Sequence, residues 1–337
     1  MPLHAGSVWP LTARTAPTLA PGTRWAAAWL LGMALALGAA PLRAAPPEAA
    51  TGTAPTATAP AAAAKPQALE RIRAGKRVVI GHREASIPLS YVANGQPVGY
   101  SVDVCLQVVE ALARHLKLPA LEVRYRQVTS ADRFDAIERG DVDLECGSTT
   151  NTAERRQRVA FTIAHFIASS RLMVLSSQPW TRIEDLDGQA VASTVGTTNI
   201  QSLGREARLK SLNLRIEPAK DHAEGVAWVE SGRVAAFAMD DVLLFGLRAN
   251  AREPERLKII GKPITIEPYA IAFERHNPEL KAVVDAELRR LIASKTLERL
   301  YQKWFNSPIP PKGINLQMRM PHLMADSFRY PSDFVPN

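Results

Sequence analysis

Leu121-Glu-Val-Arg-Tyr-Arg126, Ser130-Ala-Asp-Arg-Phe-Asp-Ala-Ile-Glu-Arg139 and Val142-Asp-Leu-Glu-Cys146 follow one another with only short breaks. The first alternates apolar and polar residues at the two-residue period of a strand. The second sets Phe134 and Ile137 three apart, on one face of a short helix that Gly140 ends. The third is a strand again, so the stretch predicts a β-α-β unit and a largely parallel sheet. Upstream, Arg77-Val-Val-Ile-Gly81 reads as a short buried strand and Asn94-Gly95 as a hairpin turn. Residues 102–116 carry apolar side chains at 104, 105, 108, 109, 112 and 116, which is helical spacing.

The same grammar repeats from about residue 180. Strands are expected at 189–194, 212–217 and 233–239, with helices from Gly196-Thr-Thr198 to about Leu209, from Asp221 to Glu230, and from Asp240-Asp241 to about Asn250. A strand at Tyr269-Ala-Ile-Ala-Phe273 and one long amphipathic helix from Pro278 to Phe305 then close the fold. Two α/β units, with a late strand and helix free to rejoin the first, imply two lobes joined by two crossings. Ligands of such sheets sit beyond the carboxyl ends of the strands, here in the cleft between the lobes. The boundaries expected are residues 67–174 for the first part of lobe 1, 175–267 for lobe 2, 268–315 for the return to lobe 1, and 316–337 for a tail.

The chain has 337 residues, 46% apolar and 22% charged, enough to bury proper cores and to exclude a disordered or collagen-like class. Its net charge is +8, but the basic residues are scattered, with no run of five or more, so no nucleic-acid partner is expected. Residues 1–44 hold Arg14, Arg24, Arg43 and no acid, around an uncharged stretch from Trp25 to Ala40. About 16 apolar residues is short for a spanning helix, which needs roughly 20. A basic start, a short apolar centre and the small-residue end at Leu42-Arg43-Ala44 read as an export signal. Its removal lowers the net charge to +5. Ala45 to Pro66, with five prolines, reads as an extended tether. The mature protein is thus expected to be exported, and an oxidising compartment admits either a Cys105–Cys146 disulfide or two buried free thiols.

The residues able to carry chemistry fall at strand ends and helix starts. Arg83 follows the first strand. Ser130 and Arg133 share a face at a helix start, where Ser130 also fits a helix cap. Gly147-Ser-Thr-Thr150 with Thr152 and Arg155 offers hydroxyls, free backbone N–H groups and a guanidinium within one turn, the groups that hold a carboxylate. Gly196-Thr197-Thr198 is the counterpart in the second unit, and His222 begins the following helix. Asp240 ends an apolar strand, where a carboxylate needs a partner: a ligand ammonium, or the helix whose cap it could be. No Walker A loop, Gly-x-Ser-x-Gly elbow, His-Glu-x-x-His or Cys/His metal spacing occurs, so neither a catalytic residue, a metal nor a cofactor is expected.

Ile80-Gly-His-Arg-Glu84, Pro97-Val-Gly-Tyr-Ser-Val-Asp103, Leu144-Glu-Cys-Gly-Ser-Thr-Thr-Asn151, Ala219-Lys-Asp-His222, Met239-Asp-Asp-Val-Leu-Leu244 and Lys303-Trp-Phe-Asn-Ser-Pro-Ile-Pro-Pro311 stand in this order. Together they resemble the periplasmic solute-binding proteins of amino-acid ABC transporters (family 3), and within them the glutamate/aspartate-binding subgroup, over roughly residues 67–315. The resemblance implies the α/β, two-lobed, type II "Venus flytrap" fold with its ligand cleft between the lobes. It implies a periplasmic monomer that captures an acidic amino acid and delivers it to a membrane permease. Carried over, Arg155 would hold the α-carboxylate with Thr150 and Thr198, and Thr197 beside them belongs to the ligand-binding set. Ser148 and Asp240 would hold the ammonium. Arg83, Ser130, Arg133 and His222, the last as donor or cation, would surround the side-chain carboxylate. Val195 departs from the pattern, which has Ser there. The same fold also serves other amino acids, glutamine or dicarboxylates among them, ligand-sensing modules, and exported cyclohexadienyl dehydratases.

Overall fold

The computed structural model describes residues 67–335. The export signal expected over 1–44 and the tether over 45–66 lie outside the described residues.

The first sheet has strand order Glu122–Gln127, Arg77–His82, Leu144–Glu145, Ala272–Glu274, Val159–Phe161. Its first three strands are parallel, as the β-α-β reading requires, with Ile80 opposite both Tyr125 and Leu144. Ala272–Glu274 enters antiparallel between Leu144–Glu145 and Val159–Phe161. The second sheet runs Arg215–Ala219, Ala190–Thr194, Ala236–Asp240, Ser170–Leu175, Leu257–Ile260, the first three again parallel. Between the sheets the chain crosses twice, through Phe166–Ala168 and back through Glu267–Tyr269. These two short strands pair with each other, Tyr269 opposite Phe166.

Aromatic packing anchors the crossing. Phe166 stacks on Tyr269 at 5.9 Å between ring centroids and on Phe305 at 5.4 Å, and Phe305 stacks on Tyr301 at 4.2 Å. All but Phe166, which is 2% exposed, are fully buried. Such pairs add about 0.5–1.5 kcal/mol each beyond their area. The hinge strands are therefore rooted in the helical layer of the first lobe.

The structure departs from the sequence expectations at four places. The helix expected from Pro278 to Phe305 is two, Pro278–Ala293 and Thr296–Phe305, because Lys295 takes a left-handed conformation with φ 56°. The strand expected over Tyr269–Phe273 divides at Ala270-Ile271, its first part in the hinge and its second in the first sheet. Residues 170–174, placed in lobe 1 by the boundary at 175, pair with Ala236–Asp240 of the second sheet. The second lobe's sheet thus begins at 170, since a strand of either sheet would look alike in sequence. Finally, the tail holds a helix, His322–Arg329, that buries Met324 and Phe328. Among the described residues no helix is long and apolar enough to cross a membrane.

Cys105, on the helix Tyr100–His115, and Cys146, at the end of a central strand, are joined in a disulfide with Cα atoms 6.2 Å apart. The bridge clips this helix to the segment that leads into Gly147-Ser148. Closing a 41-residue separation constrains the unfolded chain, so replacing both cysteines by serine should lower unfolding free energy by about 2–4 kcal/mol. Urea unfolding of the double variant, against the oxidised parent, measures it.

Candidate functional site

A narrow cavity lies between the lobes, lined by Arg83, Ser130, Arg133, Ser148, Thr150, Arg155, Thr197, Thr198, His222 and Asp240, with Met239 and Leu243. The structure thus brings together all ten residues singled out in the sequence. Val195 is not among them and is 39% exposed.

Strand ends place these groups. Arg83 follows the strand Arg77–His82, and its Nη2 donates to Ser130 Oγ at 2.6 Å. Ser130 is therefore an arginine partner and not a helix cap; Asp132 precedes the helix Arg133–Arg139. Thr152 Oγ1 accepts from the Arg155 backbone N–H at 3.2 Å and fixes the turn that turns Arg155 inward. Arg156 and Arg158 of the same run point outward, to Asn151 and to Asp135 and Glu138. Arg155 Nη1 donates to Thr150 O at 2.8 Å. Its Nη2 reaches across the cleft to Gly196 O at 3.2 Å, and Arg133 Nη2 donates to the same carbonyl at 3.0 Å. The Phe134 ring lies beside both guanidinium groups, 4.7 Å from Arg133 and 5.5 Å from Arg155.

The lobes touch at two glycines. Gly196 has φ +75°, and a Cβ there would stand 2.5 Å from Ser130 O. A Cβ on Gly246 would stand 2.1 Å from Ile87 O. Only a residue without a side chain admits either approach.

Burial shapes the charge of the site. It lowers the Arg133 pKa well below the ordinary arginine value, and repulsion from Arg155 and Arg83 adds to the effect. Burial also lowers His222, helped by Arg83 and Arg133, so the imidazole is neutral at physiological pH. The cation that His222 could have supplied is thus absent. Its Nδ1 pairs with Thr194 Oγ1 at 2.9 Å, while Nε2 is buried with no partner among the described residues. That nitrogen is free for a ligand atom.

Asp240 precedes the helix Asp241–Asn250 but makes no side-chain cap bond. Its carboxylate accepts from Asn199 Nδ2 at 3.1 Å and from Tyr269 OH at 2.5 Å. Burial, with repulsion from Glu267, pushes its pKa up to about 7. Glu267 on the hinge strand accepts from Thr198 Oγ1 at 2.9 Å and Thr265 Oγ1 at 2.6 Å. Asn199, Tyr269 and Glu267 were not singled out in the sequence. Tyr269 and Glu267 come from the hinge strand, which no turn signal marks, and Asn199 sits one position past the quoted Gly-Thr-Thr.

No cluster of His, Cys, Asp or Glu able to hold a metal occurs among the described residues. What the cavity offers instead is three guanidinium groups, one carboxylate, several hydroxyls and the start of the helix Thr198–Leu209. Two α/β lobes, crossed twice by paired hinge strands, with a charged cavity between them, define the type II class of periplasmic binding proteins. The chain belongs to the bacterial extracellular solute-binding proteins, family 3, whose pattern matches residues 78–307.

Individual relatives agree. The chain is 40% identical over 267 residues to the L-glutamate/L-aspartate-binding protein of Pseudomonas aeruginosa, an overlap of 79% of this chain and 88% of that one. It is 37% identical over 275 residues to the glutamate/aspartate import solute-binding protein of Escherichia coli, covering 81% and 91% of the two chains. Among solved structures, the arginine-, lysine-, histidine-binding protein ArtJ of Geobacillus stearothermophilus superposes with a TM-score of 0.61 at 25% identity, over 75% of this chain and 99% of that one.

Proposed function

We propose that this protein captures L-glutamate or L-aspartate in the periplasm and delivers it to the membrane permease of an ABC importer, acting as a monomeric binding protein and not as an enzyme. The observation that carries the reading is the convergence of Arg83, Arg133 and Arg155 on one cavity that also holds Asp240. An acidic amino acid brings two carboxylates and one ammonium, and this set answers each. Arg155, Thr150, Thr197, Thr198 and the adjacent helix start suit the α-carboxylate. Asp240 and Ser148 suit the ammonium. Arg83, Arg133, Ser130 and the free Nε2 of His222 suit the side-chain carboxylate. A neutral or basic side chain would leave at least one buried guanidinium unpaired, which costs several kcal/mol. The names of the 37–40% identical relatives point the same way.

The specificity is tested at the two arginines assigned to the side chain. Arg83→Ala or Arg133→Ala should weaken glutamate about a hundredfold and glutamine about tenfold or less, because the amide loses hydrogen bonds but no ion pair. An unchanged glutamate-to-glutamine preference in both variants would assign the cavity to another amino acid.

Uptake requires the lobes to part and close, so closure must draw on contacts made only when they meet. Gly246 tests this with opposed signs. Alanine is better than glycine inside a helix by roughly 0.5–1 kcal/mol, so Gly246→Ala should keep or raise the melting temperature of the unliganded protein. The added methyl collides with Ile87 O in the closed form, so ligand affinity should fall by about tenfold or more. Calorimetry and a thermal melt of the one variant read both.

A further inference from the structure

Glu145 is an unassigned charge beneath the cavity. It lies on the central strand Leu144–Glu145, opposite Gly81 on one side and Ala272 on the other, and is fully buried. Neither carboxylate oxygen has a hydrogen-bond partner among the described residues. A carboxylate in that position is costly unless cations lie near it. The side chain of Arg83 does, although among the described residues no cation comes within ion-pair distance of either oxygen. A Cβ built on Gly147 would stand 2.3 Å from Glu145 Oε1 and 2.8 Å from Arg83 Cγ, so the carboxylate and the Arg83 stem converge on one glycine. Glu145 is the foremost anion opposing the loss of charge on Arg83, and it also acts on Arg133 and Arg155. The other acids that reach Arg83, Glu84 and Asp132, are exposed and screened by solvent. Glu267 serves the opposite end, bonded to Thr198 and Thr265.

We propose that Glu145 sets the specificity of the side-chain end of the cavity by cancelling one of its two positive charges, so that Arg83 and Arg133 together present a net of one to the ligand. This rests on the acidic-ligand reading above. It explains how three mutually repelling guanidinium groups can be buried together in the closed cleft. Glu145 acts on the ligand through the arginines and the field, without touching it, and is a positioning and charge-setting residue.

The test is a charge cycle read as the ratio of glutamate to glutamine affinity, measured by calorimetry on the wild type, Glu145→Gln, Arg83→Gln and the double variant. A merely structural role for Glu145 would weaken both ligands alike and leave the ratio unmoved. Glu145→Gln should raise the ratio by about tenfold or more, because the anion alone gains from the lost negative charge. The double variant should exceed Arg83→Gln by a similar factor of about ten. If Glu145→Gln does not fold, the comparison of Arg83→Gln with the charge-balanced double variant decides the matter. Equal ratios within each pair overturn the role of Glu145. A wild type with no preference for glutamate overturns the acidic-ligand reading instead, so the two failures are distinct.

Discussion

Replacing Arg155 with alanine is expected to weaken binding of the acidic amino acid by about 3–5 kcal/mol, two to four orders of magnitude in Kd. Arg155 joins Thr150 O of one lobe to Gly196 O of the other, so it acts on ligand and closure together. Its removal would leave the α-carboxylate buried without its main counter-charge, which is where most of the loss arises. The effect on the fold should have the opposite sign or none. Burial and repulsion from Arg155 both work against the charge of Arg133, and alanine relieves the second. The unliganded melting temperature should therefore hold or rise while affinity collapses. Titration calorimetry and a melt on the same preparation check the pair of signs, and wild-type affinity in Arg155→Ala would remove it from the site.

Asp240→Asn carries the second large effect. The asparagine keeps an oxygen to accept from Tyr269 OH but loses the charge assigned to the ligand ammonium. The expected cost is about 2–5 kcal/mol, so affinity should fall at least about thirtyfold at pH 8. The pH dependence follows from the raised pKa. In the closed cleft without a ligand, burial and repulsion from Glu267 push the Asp240 pKa up to about 7, above the 3.8 of an ordinary aspartate. An ammonium needs the ionised form, so binding below pH 7 must expel a proton. Wild-type affinity should then rise with pH by up to about tenfold per unit toward pH 7 and level off above it, while Asp240→Asn should show no such rise. For the unliganded fold the sign reverses. The folded state holds the proton more tightly than the unfolded one, so this group favours folding below about pH 4 and that contribution is lost as pH rises toward 7. Proton uptake or release measured in two buffers of different ionisation enthalpy separates the two.

Much of the site was legible because the fold puts chemistry where local sequence is easiest to parse. Arg83, Ser148, Thr150, Thr198, His222 and Asp240 all stand within a few residues of a strand's carboxyl end, and β-branched runs ending in Gly, Ser or Asp mark such ends clearly. Three alternatives needed coordinates. Asp240 could have been a cap, but its carboxylate turns to Asn199 and Tyr269. Ser130 could have been a cap, but it holds Arg83. His222 could have been a cation, but burial beside two arginines keeps it neutral. What stayed hidden depends on the return crossing. Tyr269 and Glu267 meet Asp240 and Thr198 behind the cavity wall only because the chain re-enters antiparallel to Phe166–Ala168, and no period or turn residue announces that pairing. The break at Lys295 was hidden too, since the apolar spacing runs on through it and the left-handed residue is not a glycine.

The measurement that bears most directly on the central claim is titration calorimetry of residues 67–337 against each of the twenty amino acids. The account predicts tight binding of L-glutamate and L-aspartate, with glutamine and asparagine weaker by about a hundredfold or more. Equal affinity for the amides, or preference for a neutral or basic amino acid, would contradict it.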